Sequence, residues 1–320
     1  MVGRMLYFIV NLTSRSGMGA KIWEEIEAEL KKKNVFYEVY KTNYKGHAKE
    51  LAQMICNKQD EDIRLVALGG DGTVNEVING MEHFEKVRFG VISTGSGNDF
   101  ARGLKIKDTP LEQLERLRKA DKEQIIDLGL ASWENCENPR YFAVSAGIGM
   151  DAIVVKQTLV SKWKKFLNAI HLGKLVYPIV TVQTLFSMTV FDVQAMAWNV
   201  LEKGVFKEQV KREYPKVIFT AAMNFRSEGG GIPMVPTATA TDGKLSMCTI
   251  SNVPKWLAFF YLPFLIAGKQ EKLKQFETFD CEKYETNYEK EVTLHLDGEY
   301  VGEVRNVVFT CVPKKLRVIL

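Results

Sequence analysis

Apolar residues in the first part of the chain gather in short runs separated by segments of helical spacing. Strand-like runs cover 5–11, 35–40, 63–68 and 87–92. In 20–33, Ile22, Ile26 and Leu30 share one helix face, and Lys31-Lys-Lys33 closes it at the negative end of the helix dipole. Thr109-Pro-Leu-Glu112 has the order of an N-cap, a proline at the first helical position and a glutamate at the third. This alternation predicts a parallel α/β domain over residues 1–128. After Asp127 the pattern changes. Alternating or β-branched runs dominate at 141–146, 188–198, 215–223, 243–250, 291–296 and 305–312, with one helical stretch from about Asp151 to Thr184. A β-rich second domain over 129–304 follows.

Candidate chemistry sits where the strand runs of the first domain end. Leu65-Val-Ala-Leu-Gly69-Gly-Asp-Gly-Thr-Val-Asn-Glu76 passes from an apolar strand through glycines into a helical pattern. Such a turn leaves backbone N–H groups open to phosphate oxygens. Thr73 and Glu76 have capping-box spacing, which predicts a helix starting at Thr73. Val91-Ile-Ser-Thr-Gly-Ser-Gly-Asn-Asp-Phe100 repeats the theme, with Asn98 as cap candidate. A third version joins the strand Leu6–Asn11 to Ser14-Arg-Ser-Gly-Met-Gly19 ahead of the first amphipathic helix. In an open α/β sheet such turns gather at the carboxyl edge of the strands, where ligands bind.

The glycine pattern excludes two common nucleotide loops. Gly70 and Gly72 fit the dinucleotide fingerprint, but Asn75 stands where its third glycine belongs. Gly-Lys occurs at Gly173, Gly243 and Gly268, never followed by Ser or Thr, so there is no Walker loop. Asp71 would repel a bare phosphate, so its carboxylate is expected on a metal, a sugar hydroxyl or loop amides.

Composition narrows the class further. Hydrophobic content of 46% and charged content of 26% over 320 residues are globular values, enough for two domains. A net charge of +4 suits an anionic lipid or nucleotide and makes no case for nucleic acid. Cys56, Cys136, Cys248, Cys281 and Cys311 lack metal spacing and read as buried or free thiols of a reducing cytosol. His47, His83, His171 and His295 show no metal pairing and read as surface or satisfied core residues. Met5 to Val10 is too short for a secretory signal, and the longest apolar run, Trp256 to Ala267, is too short to span a bilayer and contains Pro263. Within that run Trp256–Leu262 reads as a buried core helix, with membrane contact as the alternative. Ser161-Lys-Trp-Lys-Lys-Phe166 suits an anionic interface or a solvated basic helix face.

Gly69-Gly-Asp-Gly-Thr-Val-Asn-Glu76 together with Gly95-Ser-Gly-Asn-Asp-Phe-Ala101 resembles the diacylglycerol kinase catalytic family, which includes bacterial soluble lipid kinases and sphingosine kinases. The resemblance continues through Phe142-Ala-Val-Ser-Ala-Gly-Ile-Gly-Met-Asp151, Gly229-Gly-Gly231 with Pro236, Asp242-Gly243 and Leu296-Asp-Gly-Glu-Tyr300, over nearly the whole chain. It implies a Rossmann-like, NAD-kinase-like α/β domain, a β-sandwich-like lipid domain, and a final strand over 305–320 that returns to the first domain. It also implies transfer of the ATP γ-phosphate to a lipid hydroxyl, diacylglycerol first among the acceptors. Sphingoid bases, phosphatidylglycerol and other lipid alcohols stay open.

By the same resemblance, Glu299 is the general base, with Asp71 and Asp297 in the catalytic set. On its residues alone, Asp297-Gly-Glu299 also reads as a plain hairpin turn. The implied nucleotide site comprises Asn11, Ser14, Arg15, Thr42, Gly69, Gly70, Asp71, Gly72, Thr73, Asn75, Glu76 and Ser96. A structural Mg2+ would take the Asp242 carboxylate and the backbone carbonyls of Thr239 and Lys244, with Asp127 in the polar network around it. A second Mg2+ would arrive with ATP. A cytoplasmic enzyme working at the inner face of the membrane, and a homodimer, are implied as well. Leu12 and Ser93 depart from the family, which usually has proline at both positions. The rival readings are a NAD-kinase-like phosphotransferase with a soluble substrate and a nucleotide- or lipid-binding regulator without turnover. Asp71 and Glu299, which a regulator could lose, are both present.

Overall fold

The computed structural model describes residues 5–58, 62–120, 122–160 and 176–320. The basic-aromatic segment 161–166 and His171 lie outside them. The chain forms two compact units. One holds residues up to Leu128, Gly229–Gly231 and Val312–Leu320; the other holds Gly129–Glu228 and Ile232–Cys311.

In the first unit β1 (Leu6–Val10), β2 (Tyr37–Lys41), β3 (Ile63–Gly69) and β4 (Val87–Ser93) alternate with α1 (Ser14–Lys32), α2 (His47–Cys56) and α3 (Asp71–Gly80). β1 lies between β2 and β3, and β3 pairs on its other side with β4, all parallel. Every residue of β3 is buried, which is why its sequence is a continuous apolar run rather than an alternating one. The core includes Phe8, Val66, Leu68 and Ile92 from strands, and Trp23, Ile26 and Leu30 from α1. Two short helices follow, α4 (Asp99–Gly103) and α5 (Pro110–Lys119). α5 starts at the expected capping box: Thr109 accepts from the Glu112 N–H, and the Glu112 carboxylate accepts from the Thr109 N–H.

β5 (Glu123–Trp133) leads out of the first unit. The second begins with β6 (Arg140–Phe142), β7 (Ser145–Gly149), α6 (Met150–Val160) and α7 (Val176–Ser187). Then come β8 (Phe191–Glu202), β9 (Val205–Met223), β10 (Leu245–Ser251), α8 (Lys255–Phe259), α9 (Leu262–Ile266), β11 (Phe276–Cys281), β12 (Lys283–Asn287), β13 (Val292–Leu296), β14 (Glu299–Val304) and β15 (Val307–Ile319). Within this unit the order is β14-β13-β7-β9-β10-β11-β8-β12-β15, and β8 also pairs with β9. The β8–β9 hairpin turns at Lys203-Gly204, both with positive φ, as a tight two-residue turn requires. One core, with Phe142, Leu245, Tyr284 and Phe309, lies against one set of strand faces. A second, with Met150, Phe219, Ile250 and Phe276, lies under the helices. β15 pairs at its start with β12, antiparallel, and near its end with β4, parallel.

Sequence expectations change at several elements. α1 begins at Ser14, so Ser14–Gly19 forms its first turns rather than a loop before it. The run 141–146 is two strands, because the chain breaks after Phe142 and restarts at Ser145. The strands β5 and β11 carry no clean alternation, and β12 alternates in burial but holds Tyr284 as its one large apolar residue, so none of the three stands out along the chain. Trp256–Leu262 is not a buried helix: Trp256, Phe259 and Phe260 are exposed.

Candidate active site

Because its strands are parallel, the first unit presents the carboxyl ends of β1, β3 and β4 at one edge, and the three glycine-bearing segments meet there. The Asn11 amide donates to Thr73 Oγ1 at 3.0 Å, and the Ser14 and Thr94 hydroxyls lie 2.6 Å apart. The Thr94 N–H donates to the Gly69 carbonyl, and the Thr42 N–H to that of Val10. A side chain on Gly95 would place its Cβ 2.9 Å from the Gly70 Cα, so the two loops touch backbone to backbone. That approach is open only to glycine.

α3 starts at Asp71, with Gly70 extended before it, two residues earlier than the sequence spacing suggests. The Thr73–Glu76 capping box therefore does not form. Thr73 lies inside the helix and accepts from Asn11, while the Glu76 carboxylate accepts the N–H groups of Gly46 and Ala48 at the start of α2. Asn75 is buried, and its carbonyls accept from Asn79. Asp71 Oδ1 accepts the Phe100 N–H at 3.2 Å, so of the three roles open to it the loop-amide contact is formed. Asn98 precedes α4 in a left-handed conformation and makes no side-chain cap bond. Arg15 and Ser96 are exposed.

Two residues at this edge escaped sequence reasoning. Thr94 is buried and holds Ser14. Asp99 is buried, accepts the Gly230 N–H at 2.8 Å, and lies 3.4 Å from Arg102. Burial pushes its carboxyl pKa up, against the Gly230 N–H and Arg102, which act to lower it. The Gly229-Gly-Gly231 motif is thereby tied to the second glycine loop. Asp127 accepts the Lys314 N–H at 2.7 Å.

In the second unit Asp297-Gly298 is the tight turn between β13 and β14, with both residues at positive φ. It is a hairpin, as the residues alone allow, but one with unusual support. The Asp297 carboxylate accepts the N–H groups of Ala143, Val144 and Ser145 at 2.9, 2.8 and 3.1 Å. The Asp297 N–H donates back to the Ser145 carbonyl. Two motifs far apart in sequence, 142–151 and 296–300, thus form one rigid corner. Glu299 starts β14 beside it, half-buried.

His295 completes the corner and was given no role from sequence. Its Nδ1 accepts the Gly298 N–H at 3.2 Å, and its Nε2 lies 3.2 Å from Asp151 Oδ2. An acceptor at Nδ1 requires the proton on Nε2, which therefore donates to Asp151. Burial lowers the imidazole pKa, but the Asp151 hydrogen bond and charge outweigh it and the net shift is upward. Asp151, Glu228 and His295 place ligand atoms within 4.8 Å of one another. With Nε2 carrying its proton toward Asp151, the His295–Asp151 pair acts as a hydrogen-bonded brace behind the corner. Gly147 faces it: a Cβ there would lie 1.8 Å from Asp151 Oδ2 and 2.4 Å from His295 Nε2. Gly147→Ala is expected to destabilise the fold by about 1–3 kcal/mol as the brace is pushed apart. Urea unfolding measures this, and an unchanged midpoint would refute the close approach.

At the expected magnesium turn Asp242 is exposed, and its Oδ1 accepts the Lys244 N–H at 3.1 Å. The Asp242 carboxylate and the backbone carbonyls of Thr239 and Lys244 are all oxygens, the set a hard cation prefers.

Comparison with known proteins follows the same division. Residues 5–131 match the family model described as "Diacylglycerol kinase catalytic domain", and residues 143–320 the "YegS C-terminal NAD kinase beta sandwich-like domain". The Bacillus subtilis protein named "Putative lipid kinase YtlR" is 28% identical over 92% of this chain and 93% of its own. A diacylglycerol kinase of Staphylococcus carnosus is 26% identical over 92% of this chain and 89% of its own. A Bacillus anthracis crystal structure described as "a putative diacylglycerol kinase" superposes with a TM-score of 0.71 at 19% identity, covering 99% of this chain and 95% of that one, a likeness of fold. The fold is a NAD-kinase-like α/β domain followed by a β-sandwich domain. Fold and motifs together define a lipid kinase. The chain belongs to the diacylglycerol kinase catalytic-domain family.

Proposed function

We propose that this kinase transfers the γ-phosphate of ATP to the hydroxyl of a lipid alcohol, with diacylglycerol as acceptor and phosphatidic acid as product, and with Glu299 as general base. The observation that carries the reading is the corner around Glu299. Three N–H groups hold Asp297, and His295 holds Gly298, so the carboxylate of Glu299 leaves a turn with little freedom to move. Phosphoryl transfer asks little covalent chemistry of a protein. It asks for position and charge, and a fixed carboxylate can accept the proton of the attacking hydroxyl.

Nucleotide binding is assigned to the edge built from Asn11, Ser14, Thr42, Gly69–Glu76 and Ser96. The N–H groups at the start of α3 favour phosphate there. Arg15, exposed at the start of α1, is free to swing toward phosphate oxygens. Glu76 also ties this edge to the start of α2 through the N–H groups of Gly46 and Ala48. Mg2+ bound with ATP would neutralise charge on the phosphates. The Thr239, Asp242 and Lys244 turn would hold a structural Mg2+ through oxygen ligands. Diacylglycerol is preferred over other lipid alcohols because relatives spanning most of the chain carry that name.

The direct test incubates the protein with γ-labelled ATP, Mg2+ and separate pools of diacylglycerol, sphingoid base, phosphatidylglycerol and NAD. Label in phosphatidic acid alone is the expected result. Label in NADP, or in no acceptor, would overturn the assignment.

A further inference from the structure

α8 and α9 are apolar on both faces. Ala258, Tyr261 and Leu265 point inward and are buried in the core under the helices with Ile250, Val253 and Phe276. The opposite face carries larger groups into solvent: Trp256 is 62% exposed, Phe260 58% and Ile266 68%, with Phe259 and Phe264 beside them. Phe186, at the end of α7, adds to the same surface at 51% exposure, its ring 6.3 Å from that of Phe259. Phe259 and Phe260 lie 5.6 Å apart. Lys255 fixes the arrangement by donating to the carbonyls of Phe186 and Met188, which joins α7 to α8. A helix face open to water normally carries polar groups, and a contiguous aromatic patch marks an interaction surface.

We propose that this face docks the kinase on the anionic surface of a lipid bilayer. The proposal rests on the lipid-kinase reading: among the described residues no helix is long and apolar enough to cross a membrane, so the acceptor has to be met at its surface. Charge selects the partner. Lys269, Lys272 and Lys274 are exposed just beyond α9, and Glu271 is the one acid between Asn252 and Phe276. Exposed aromatic side chains followed directly by exposed lysines fit the boundary between acyl chains and anionic headgroups. A second copy docked by the same face would set two lysine fringes around one interface, which like charges oppose.

The test compares the unmodified protein with W256Q/F260Q, two exposed positions whose replacement leaves the core intact. Binding to vesicles of phosphatidylcholine with phosphatidylglycerol is expected to fall roughly tenfold or more in the variant. Binding of the unmodified protein is expected to weaken with salt and on pure phosphatidylcholine. Turnover of a short-chain diacylglycerol dispersed below its micelle concentration is expected to stay unchanged in the variant. Equal vesicle binding by the two proteins would overturn the docking face. So would a shift from dimer to monomer in sedimentation velocity caused by the substitutions, since the face would then belong to a second copy. Failure of the kinase reading itself shows separately, as no phosphorylation of the short-chain lipid by the unmodified protein.

Discussion

Glu299→Gln is expected to lower turnover by about 10²–10⁴-fold while ATP binding and thermal stability stay near those of the unmodified protein. The amide keeps the size of the side chain and leaves the neighbouring bonds alone. Asp297 still accepts from Ala143, Val144 and Ser145, and Gly298 still donates to His295. What is lost is the one group proposed to take the proton of the attacking hydroxyl. Steady-state rates with lipid acceptor, set beside calorimetric titration of ATP with Mg2+, separate loss of chemistry from loss of binding. A rate within a few fold of normal would remove Glu299 from the mechanism. A parallel collapse of stability would make it structural.

Asp71 carries the second large effect, and two substitutions divide its roles. Asp71→Asn keeps an oxygen for the Phe100 N–H, so the tie between the two glycine loops survives. Asp71→Ala removes it. If the charge serves the reaction, turnover falls at least about a hundredfold in both variants, and only the alanine variant also loses about 1–3 kcal/mol of stability, the usual cost of a lost bond to a charged acceptor. If the tie is all that Asp71 provides, the asparagine variant works at near-normal rate. Kinetics and urea unfolding on the pair decide between these outcomes.

Much of the fold is legible along the chain because its signals are local. The four strands of the first unit lie within about two residues of the apolar runs. The Thr109 capping box is present as spelled, since each partner is three residues from the other. β5 and β11 are hidden because neither alternates cleanly, and β12 because Tyr284 is its one large apolar residue; pairing with β6 and β15, with β10, and with β8 and β15 makes them strands. The Thr73–Glu76 spacing misled for a related reason. Glu76 satisfies N–H groups at the start of α2, thirty residues away in sequence for Gly46, and local spacing carries no trace of that competitor. Trp256–Leu262 misled because apolar content says that a helix has a face to bury, not that its other face is covered.

The places of the candidate chemistry can be read residue by residue: glycine turns after apolar strands, and the Asp297-Gly-Glu299 turn. Backbone freedom and strand endings are properties of neighbouring residues, so composition at each place suffices. The groups that support them come together through folding. Folding sets Thr94 against Ser14, Asp71 against the Phe100 amide, Asp99 against Gly230, and His295 between Gly298 and Asp151. Except for His295 with Gly298, which share one turn, each of these contacts joins groups far apart in the chain. A buried polar atom takes whatever partner the packed chain presents, and that choice is made in space rather than along the sequence.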